Sequence, residues 1–232
     1  MDFEHSADFL TTVDRDGALA ETRSHAERTL SRRRLFGMTL AGAGAITIAR
    51  TAGAHAAAGL PASDVDILNY ALVLEYLQAS FYTEAERSGA LTGKTAEAAR
   101  IVGATERAHV KAFLKLLGSQ AVKRPTFDFQ GTTEQQRPFL KKAVAFEDLA
   151  VAAYKGQAPK LQANPVLAAA VGIHSVEARH AAWMRQLFGI TPAVDAFDRP
   201  ASRRSINRVV ASTQFIVSRP KLTGRKKPEF TG

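Results

Sequence analysis

Apolar residues recur every three to four positions through most of the chain after residue 62, which is the spacing of one face of an α-helix. Four stretches carry this spacing, and breaks rich in glycine, proline or polar residues separate them. They run from 63 to about 86, from 95 to 117, through 140–154 and from 164 to about 188. No stretch shows the sustained alternation of a strand, so the pattern predicts an all-α protein with four long helices.

The residues at the ends of these stretches predict the helix boundaries. Ser63 is a good N-cap for the first helix and is followed three residues later by Asp66, while Gly118 ends the second helix. Asn164 and Pro165 are predicted to be the N-cap and the first residue of the fourth helix.

Two further segments shape the predicted architecture. The linker 119–133 is long enough for a crossover connection rather than a tight turn. Segment 201–217 reads as a short amphipathic helix with an apolar end that covers the bundle. The sequence therefore predicts a four-helix bundle with a long crossover and a short C-terminal helix.

Ionisable residues interrupt the apolar face of every predicted helix. Stepping along the fourth helix, Glu177 and His180 replace apolar side chains between Ile173 and Met184. Burying such groups without partners is costly, so they need hydrogen-bond partners or a metal ion.

The interruptions form an internal repeat. A glutamate followed seven residues later by tyrosine precedes a Glu-x-x-His motif in each half of the chain, and the halves are offset by 72 and then 71 residues. The motifs in chain order are Glu75…Tyr82, Glu106-x-x-His109, Glu147…Tyr154 and Glu177-x-x-His180. This repeat predicts two helix pairs related by a pseudo-twofold axis, with the four acidic faces converging.

Four carboxylates and two imidazoles that converge can hold two divalent cations, whose charge neutralises the buried carboxylates. The chain has no cysteine, and oxygen with imidazole suits iron or manganese better than a structural zinc ion. A single Glu-x-x-His motif is common by chance, and the alternative for each residue alone is a surface glutamate or a packed histidine. Two such motifs at matched distances favour the metal site.

Three other side chains are candidates for a supporting role. Tyr82 and Tyr154 lie two helical turns after the lone glutamates and are candidate hydrogen-bond donors or radical-quenching phenols. His174 lies one turn before Glu177 and is a candidate supporting residue or extra ligand. The alternative for the two tyrosines is ordinary core packing, and the alternative for His174 is a packed or surface position.

The N-terminal region has the features of an export signal. Residues 31–49 place three arginines before a short apolar stretch, and a small-x-small site follows at Ala54-His55-Ala56. The pair Arg32-Arg33 resembles the twin-arginine (Tat) signal, which exports folded proteins. We therefore expect residues 1–56 to be a removed signal peptide and the protein to be periplasmic or extracellular. The alternative, a membrane anchor, is disfavoured by the short run rich in alanine and glycine.

The formal charge of +9 belongs to the predicted mature chain, because residues 1–56 contain seven arginines and seven acidic residues. From Arg199 onward there are nine basic residues and one acidic residue, Glu229. We expect residues 57–217 to form the bundle and 218–232 a poorly ordered basic tail. A solvated tail is the simplest interpretation, and binding to an anionic envelope polymer or lipid is the alternative. This region lacks interleaved aromatic residues and a recognition fold, so no specific nucleic-acid recognition is expected.

The segments "DVDILNYALVLEYLQASFYTEA", "HSVEARHAAWMRQL" and "DAFDRP" resemble the ferritin-like superfamily, and within it the bacterial group related to desiccation-associated proteins. The resemblance covers about Ser63 to Val217. It implies a dinuclear carboxylate site, and it implies metal ligands at six positions: Glu75, Glu106, His109, Glu147, Glu177 and His180. By that pattern Glu106 and Glu177 would bridge the metals, while Glu75 and Glu147 would be terminal ligands.

Two functional classes remain open. The first is a redox-active protein whose two iron or manganese ions react with oxygen or peroxide, as a ferroxidase-like or peroxide-reactive oxidoreductase. The second is a non-enzymatic protein of the cell envelope or of stress protection, with a structural metal site and a basic tail that binds an anionic partner. The sequence leaves enzymatic activity and oligomeric state undecided.

Overall fold

The structure is a computed structural model that describes residues 59–217. The predicted signal peptide at 1–56 and the tail at 218–232 lie outside these residues. Five α-helices form this part of the chain: α1 (Ala62–Ser88), α2 (Gly93–Leu117), α3 (Gln136–Gln157), α4 (Asn164–Phe188) and α5 (Arg203–Thr213). The prediction of an all-α bundle with a short C-terminal helix is confirmed.

The four long helices form two hairpins. α1 packs along α2 after a short turn, and α3 packs along α4 after a turn that contains a short 3-10 helix, Ala158–Lys160. Contacts of α1 with α3 and of α2 with α4 join the hairpins. Residues 118–135 form the long crossover between them. The turn after α1 uses Gly89 at a φ of 63°, a backbone conformation that glycine adopts without steric cost.

The prediction that Ser63 caps the first helix is wrong. α1 begins at Ala62, and the Ser63 hydroxyl donates to the Asp64 carboxylate instead of to the helix backbone. The predicted N3 residue, Asp66, accepts a 2.6 Å charge-assisted hydrogen bond from Arg203. Ser63 therefore contacts an adjacent side chain and Asp66 a distant one, and neither caps the helix backbone.

The start of α4 also differs from the prediction. Asn164 is the first helical residue rather than the N-cap, and Ala163 precedes it. The fully buried carboxylate of Asp64 accepts backbone N–H groups of Gln162 and Ala163, at 3.0 and 2.9 Å. A side chain from α1 thus satisfies the amides that lead into α4, and a local cap is not needed.

Two apolar cores lie on either side of the polar residues along the bundle axis. On α2, Val102 belongs to one core and Phe113 to the other, with Glu106 between them. The first core contains six buried aromatic rings that contact one another at centroid distances of 5.1–6.0 Å: Phe81, Tyr82, Phe129, Phe139, Phe146 and Phe215. Such rings bury much apolar area and pack edge to face, which fixes the positions of the helices around the polar layer.

The C-terminal segment lies across the bundle. The Ala201 amide donates to the Ala152 carbonyl at 3.0 Å, and a Cβ atom at Gly156 would lie 2.1 Å from the Ala201 carbonyl oxygen. α5 then buries Ile206 and Val210. The described part of the chain ends in strand β2 (Ile216–Val217), which pairs antiparallel with strand β1 (Thr126–Phe127) of the crossover. The segment therefore ties the crossover to the bundle.

Within residues 59–217, every helix is too short or too polar to cross a membrane.

Candidate metal centre

The structure brings the six candidate ligands together in one buried layer at the middle of the four long helices. α1 and α3 each contribute one glutamate, and α2 and α4 each contribute a Glu-x-x-His pair. The four glutamates are at most 1% exposed, and the two histidines are 8% and 7% exposed. Charged residues are almost never buried this completely unless they are paired or bind a metal.

The six side chains form two overlapping groups. Within each group, one ligand atom from every residue lies within 4.8 Å of the others. The first group is Glu75, Glu106, His109 and Glu177, and the second is Glu106, Glu147, Glu177 and His180. Glu106 and Glu177 belong to both groups, whereas Glu75 and Glu147 each belong to one. Each group takes three residues from one hairpin and one from the other, so neither hairpin holds a complete group.

The imidazole nitrogens face carboxylate oxygens across the layer. His109 Nδ1 lies 3.3 Å from Glu75 Oε2 and 3.2 Å from Glu177 Oε1. His180 Nδ1 lies 2.9 Å from Glu106 Oε1 and 3.6 Å from Glu147 Oε2. These pairs are close enough for strong electrostatic attraction, but neither Nδ1 atom has a well-formed hydrogen bond to a carboxylate.

Seven buried ligand atoms have no hydrogen-bond partner within residues 59–217. They are Glu75 Oε2, both carboxylate oxygens of Glu106, Glu147 Oε2, Glu177 Oε1, and Nδ1 of His109 and of His180. Buried polar atoms in native proteins are nearly always satisfied, so a cluster of seven needs a partner that the side chains do not supply. A divalent cation satisfies carboxylate oxygens and imidazole nitrogens together.

The two candidate tyrosines hold the two terminal carboxylates. Tyr82 on α1 donates to Glu147 Oε1, and Tyr154 on α3 donates to Glu75 Oε1, both at 2.5 Å. Each phenol therefore reaches across to the other hairpin. Each leaves the second oxygen of its carboxylate, Oε2, facing the centre without a donor.

Sequence reasoning missed Gln78. Its side chain is 2% exposed, and its Nε2 donates to Glu177 Oε2 at 3.4 Å. The available signal was its position three residues after Glu75, on the same helical face. The repeat did not reveal it, because the matching position in α3 is Ala150.

His174 lies outside both groups. Its Nε2 is 3.7 Å from Asp198 Oδ2 in the loop after α4, and its side chain is 20% exposed. The position of His174 fits the packed or surface role that was the alternative for this residue.

Burial and neighbouring charges shift the pKa values of the carboxylates in opposite directions. Burial, together with the nearby Glu106 carboxylate, raises the pKa of Glu177 well above its usual value. Burial also raises the pKa of Glu75. For Glu106, burial opposes ionisation, but the two imidazoles outweigh it and lower the pKa to about 2. Without metal, the layer therefore disfavours ionisation of Glu75 and Glu177 and favours ionisation of Glu106.

The imidazoles are affected by the same neighbours. Burial opposes the charged form of His180, but Glu106 and Glu147 outweigh it and raise the pKa to about 10. Burial likewise opposes protonation of His109, and Glu75 with the shared glutamates raises its pKa well above the usual value. Burial raises the pKa of the Tyr82 and Tyr154 phenols well above 10, so both remain neutral hydrogen-bond donors at neutral pH.

The donor set fits iron or manganese. Carboxylate oxygens and imidazole nitrogens without thiolates are the ligands that these ions take in helical bundles. The histidine side chains, 10% and 9% exposed, are also the part of the layer that reaches solvent. The side chains therefore provide a suitable coordination environment.

Comparison with known proteins agrees with this architecture. The family model described as a ferritin-like domain matches residues 63–189, which include all six candidate ligands. No curated protein matches the chain at a significant level. Since the match covers more than half of the chain and the same residues form the four-helix bundle with its buried glutamate–histidine layer, the chain belongs to the ferritin-like domain family.

Proposed function

We propose that this chain is an exported ferritin-like protein that binds two divalent iron or manganese ions and acts in metal oxidation or in the handling of oxygen or peroxide. One observation carries the proposal: two overlapping glutamate–histidine groups share Glu106 and Glu177, and seven of their buried atoms have no hydrogen-bond partner within residues 59–217. Two ligand groups that share two glutamates fit one dinuclear site better than two separate mononuclear sites.

The side chains divide into holding and orienting roles. Glu75 and His109 would hold one ion, and Glu147 and His180 the other, with Glu106 and the second shared glutamate between them. The phenols of the two tyrosines fix the terminal carboxylates and keep one oxygen of each directed at the centre. The aromatic core beside the layer limits access of water from that side.

When bound, a pair of iron or manganese ions supplies electrons for the reduction of oxygen or peroxide and is itself oxidised. The two histidines of the site carry protons that metal binding must displace. The pKa values of His109 and His180 are raised by the facing carboxylates, so both imidazoles carry protons before loading. Ligands must lose these protons to bind a cation, and loading at neutral pH should release protons to solvent.

Export is the part of the proposal that rests on sequence alone. The twin-arginine pair Arg32-Arg33 and the cleavage-like site before Ala57 support it. Membership of the group related to desiccation-associated proteins and binding of an anionic envelope polymer by the basic C-terminal region are proposals of the same standing. A periplasmic or extracellular location would place the centre where oxygen and peroxide are encountered.

The test begins with protein matured in its own host, whose metals are identified and counted by mass spectrometry. Metal-free protein is then loaded anaerobically with Fe(II) and exposed to a pulse of oxygen or peroxide while the absorption spectrum is followed. We expect two ions per chain and oxidation of the loaded metal. Two ions without oxidation would favour the structural metal site of an envelope protein, and one ion or none would contradict the dinuclear proposal.

A further inference from the structure

Three hydrogen bonds from other side chains reach the four glutamates of the layer, as far as residues 59–217 are concerned. Two come from the tyrosines and are equal in length, one to each terminal carboxylate. The third comes from the buried amide of Gln78 to Glu177 Oε2. The tyrosine bonds follow the internal repeat, and the amide bond does not.

The repeat places Ala150 on α3 at the position of Gln78 on α1, because both lie three residues after the lone glutamate. Ala150 is buried and has no polar side-chain atom. The counterpart of Glu177 in the first half, Glu106, therefore receives no amide. Both of its oxygens lack a hydrogen-bond partner within the described part of the chain, whereas Glu177 keeps only Oε1 free.

The free oxygens face different histidines. Glu106 Oε2 lies 3.5 Å from His109 Nδ1, and Glu106 Oε1 lies 2.9 Å from His180 Nδ1, so this carboxylate serves both groups. The free oxygen of Glu177, Oε1, lies 3.2 Å from His109 Nδ1. If each position takes a different oxygen of Glu177, the oxygen bonded to the amide would serve the position of His180. An oxygen that accepts a hydrogen bond has less electron density to give to a cation.

We infer that Gln78 makes the two metal positions unequal, so that the position of Glu75 and His109 binds its ion more tightly than the position of Glu147 and His180. This inference rests on the proposed function. The inference adds an order in which the two positions load. Gln78 sets that order, because the tyrosines support the two positions alike. The ion at the position of His180 would therefore exchange more readily than the ion at the position of His109.

The experiment is an anaerobic titration of the metal-free chain with Mn(II), in which free Mn(II) is followed by electron paramagnetic resonance. The parent should bind two ions in separate steps. Gln78→Met keeps the size of the side chain and removes the donor. Because the amide of Gln78 donates to Glu177 Oε2 itself, its loss leaves that oxygen more electron density for an ion, so the second step of this variant should tighten several-fold while the first is unchanged.

Control variants assign the steps and exclude a general effect of losing a buried amide. Gln157, also buried, accepts from Arg203 at the end of α3, and Gln157→Met should leave both steps as in the parent. His109→Ala should remove the tight step, and His180→Ala should remove only the weak one. These histidine variants test the order even if Gln78→Met is unstable, in which case Gln78→Leu replaces it.

The outcomes separate this inference from the function on which it rests. Two ions bound in indistinguishable steps by the parent would overturn the inference and leave the dinuclear proposal intact. The same holds if two ions bind and the second step is unchanged in the Gln78 variants, or if His180→Ala loses the tight step. Fewer than two ions bound by the parent would overturn both.

Discussion

Tyr154 on α3 donates a 2.5 Å hydrogen bond to Glu75 on α1, so a phenol from the second half of the chain orients a carboxylate of the first half. Tyr82 and Glu147 form the reciprocal contact. The two hairpins thus depend on each other for the orientation of their terminal carboxylates.

Replacing Tyr154 by phenylalanine should leave two metal positions but weaken the one that contains Glu75. The phenol fixes Glu75 rather than binding the ion, and loss of such an outer contact typically costs about 10–100-fold in affinity. Mn(II) titration measures the change. Tyr76→Phe is the control, because the Tyr76 phenol donates to the Val122 carbonyl in the crossover and to none of the six candidate ligands. An unaltered affinity in Tyr154→Phe would argue against the orienting role, and slower oxidation with unaltered affinity would assign the phenol to the reaction itself.

Replacing His180 by alanine should reduce the metal content from two ions to one. The change removes the imidazole of the second group and leaves its three carboxylates facing one another. Metal content after loading and gel filtration measures the loss. Glu97→Ala alters an exposed glutamate on α2 and should keep both ions. Retention of two tightly bound ions by His180→Ala would show that the proposed site is wrong.

The metal-free protein should be most stable in mild acid. The pKa of His180 is raised to about 10 from 6.5, so its contribution is complete below pH 6.5 and is lost as the pH rises through 10. The pKa of Glu177 is also raised, so its contribution is complete below 4.5 and is lost as the pH rises above that. The pKa of Glu106 is lowered to about 2, so its contribution is complete above 4.5 and is lost toward pH 2. Thermal unfolding of the chelator-treated chain from pH 3 to 10 should therefore show a maximum near pH 4.5 and a decline toward neutral and higher pH.

Added metal should restore stability at neutral pH, because the ions bind only the folded arrangement of ligands. At about 100 times the dissociation constant, one site contributes about 2.7 kcal/mol. For a chain of this size each kcal/mol corresponds to about 2–4 °C in Tm. A flat pH profile without metal, or a Tm that does not respond to Mn(II) at neutral pH, would be inconsistent with these shifts.

Replacing Gly156 by alanine should destabilise the protein by displacing the C-terminal segment. The added Cβ atom would lie 2.1 Å from the Ala201 carbonyl oxygen, which is backbone and cannot rotate away. We expect a loss of about 1–3 kcal/mol in the free energy of unfolding. Gly172→Ala is the matched control, because no atom lies within 4 Å of its Cβ position on α4. That variant should be as stable as the parent or more stable, by up to about 1 kcal/mol.

Replacing Arg32 and Arg33 together by lysine should leave folded precursor in the cytoplasm, because the twin-arginine route reads that pair as an address. Fractionation of the native host with an antibody against the bundle measures the distribution. A control in which Arg23 and Arg28, outside the signal motif, become lysine should be exported normally. Unchanged export of the Arg32/Arg33 variant would exclude the twin-arginine interpretation.

The helices and the six-residue layer could be predicted because both follow from short-range periodicity. Helical spacing identified the four long helices, and the matched spacing of glutamate, tyrosine and histidine in the two halves selected the residues that meet. The convergence of Glu75 with Glu177, which are far apart in sequence, followed from the repeat alone. A regular pattern along the chain thus carried information about distant contacts.

Features that depend on a single distant partner could not be predicted. The capping prediction for Asn164 is wrong because the Asp64 carboxylate satisfies amides nearly 100 residues away, and the prediction for Ser63 is wrong because α1 begins one residue earlier, at Ala62. The two-residue strands are too short to give any alternation of apolar residues. Gln78 has no counterpart in the repeat, so nothing in the periodic pattern marked it.

The division of each ligand group between the hairpins gives the centre a mechanical role. An ion held by Glu75, Glu106, His109 and Glu177 would cross-link α1 and α2 to α4. When a disulfide closes a loop of about 100 residues, the restriction of the unfolded chain stabilises the fold by about 4–5 kcal/mol. The chain has no cysteine with which to form such a staple. Loaded with metal, the layer would do for this protein what disulfide bridges do for many secreted domains, and a chelator would act on it as a reductant acts on them.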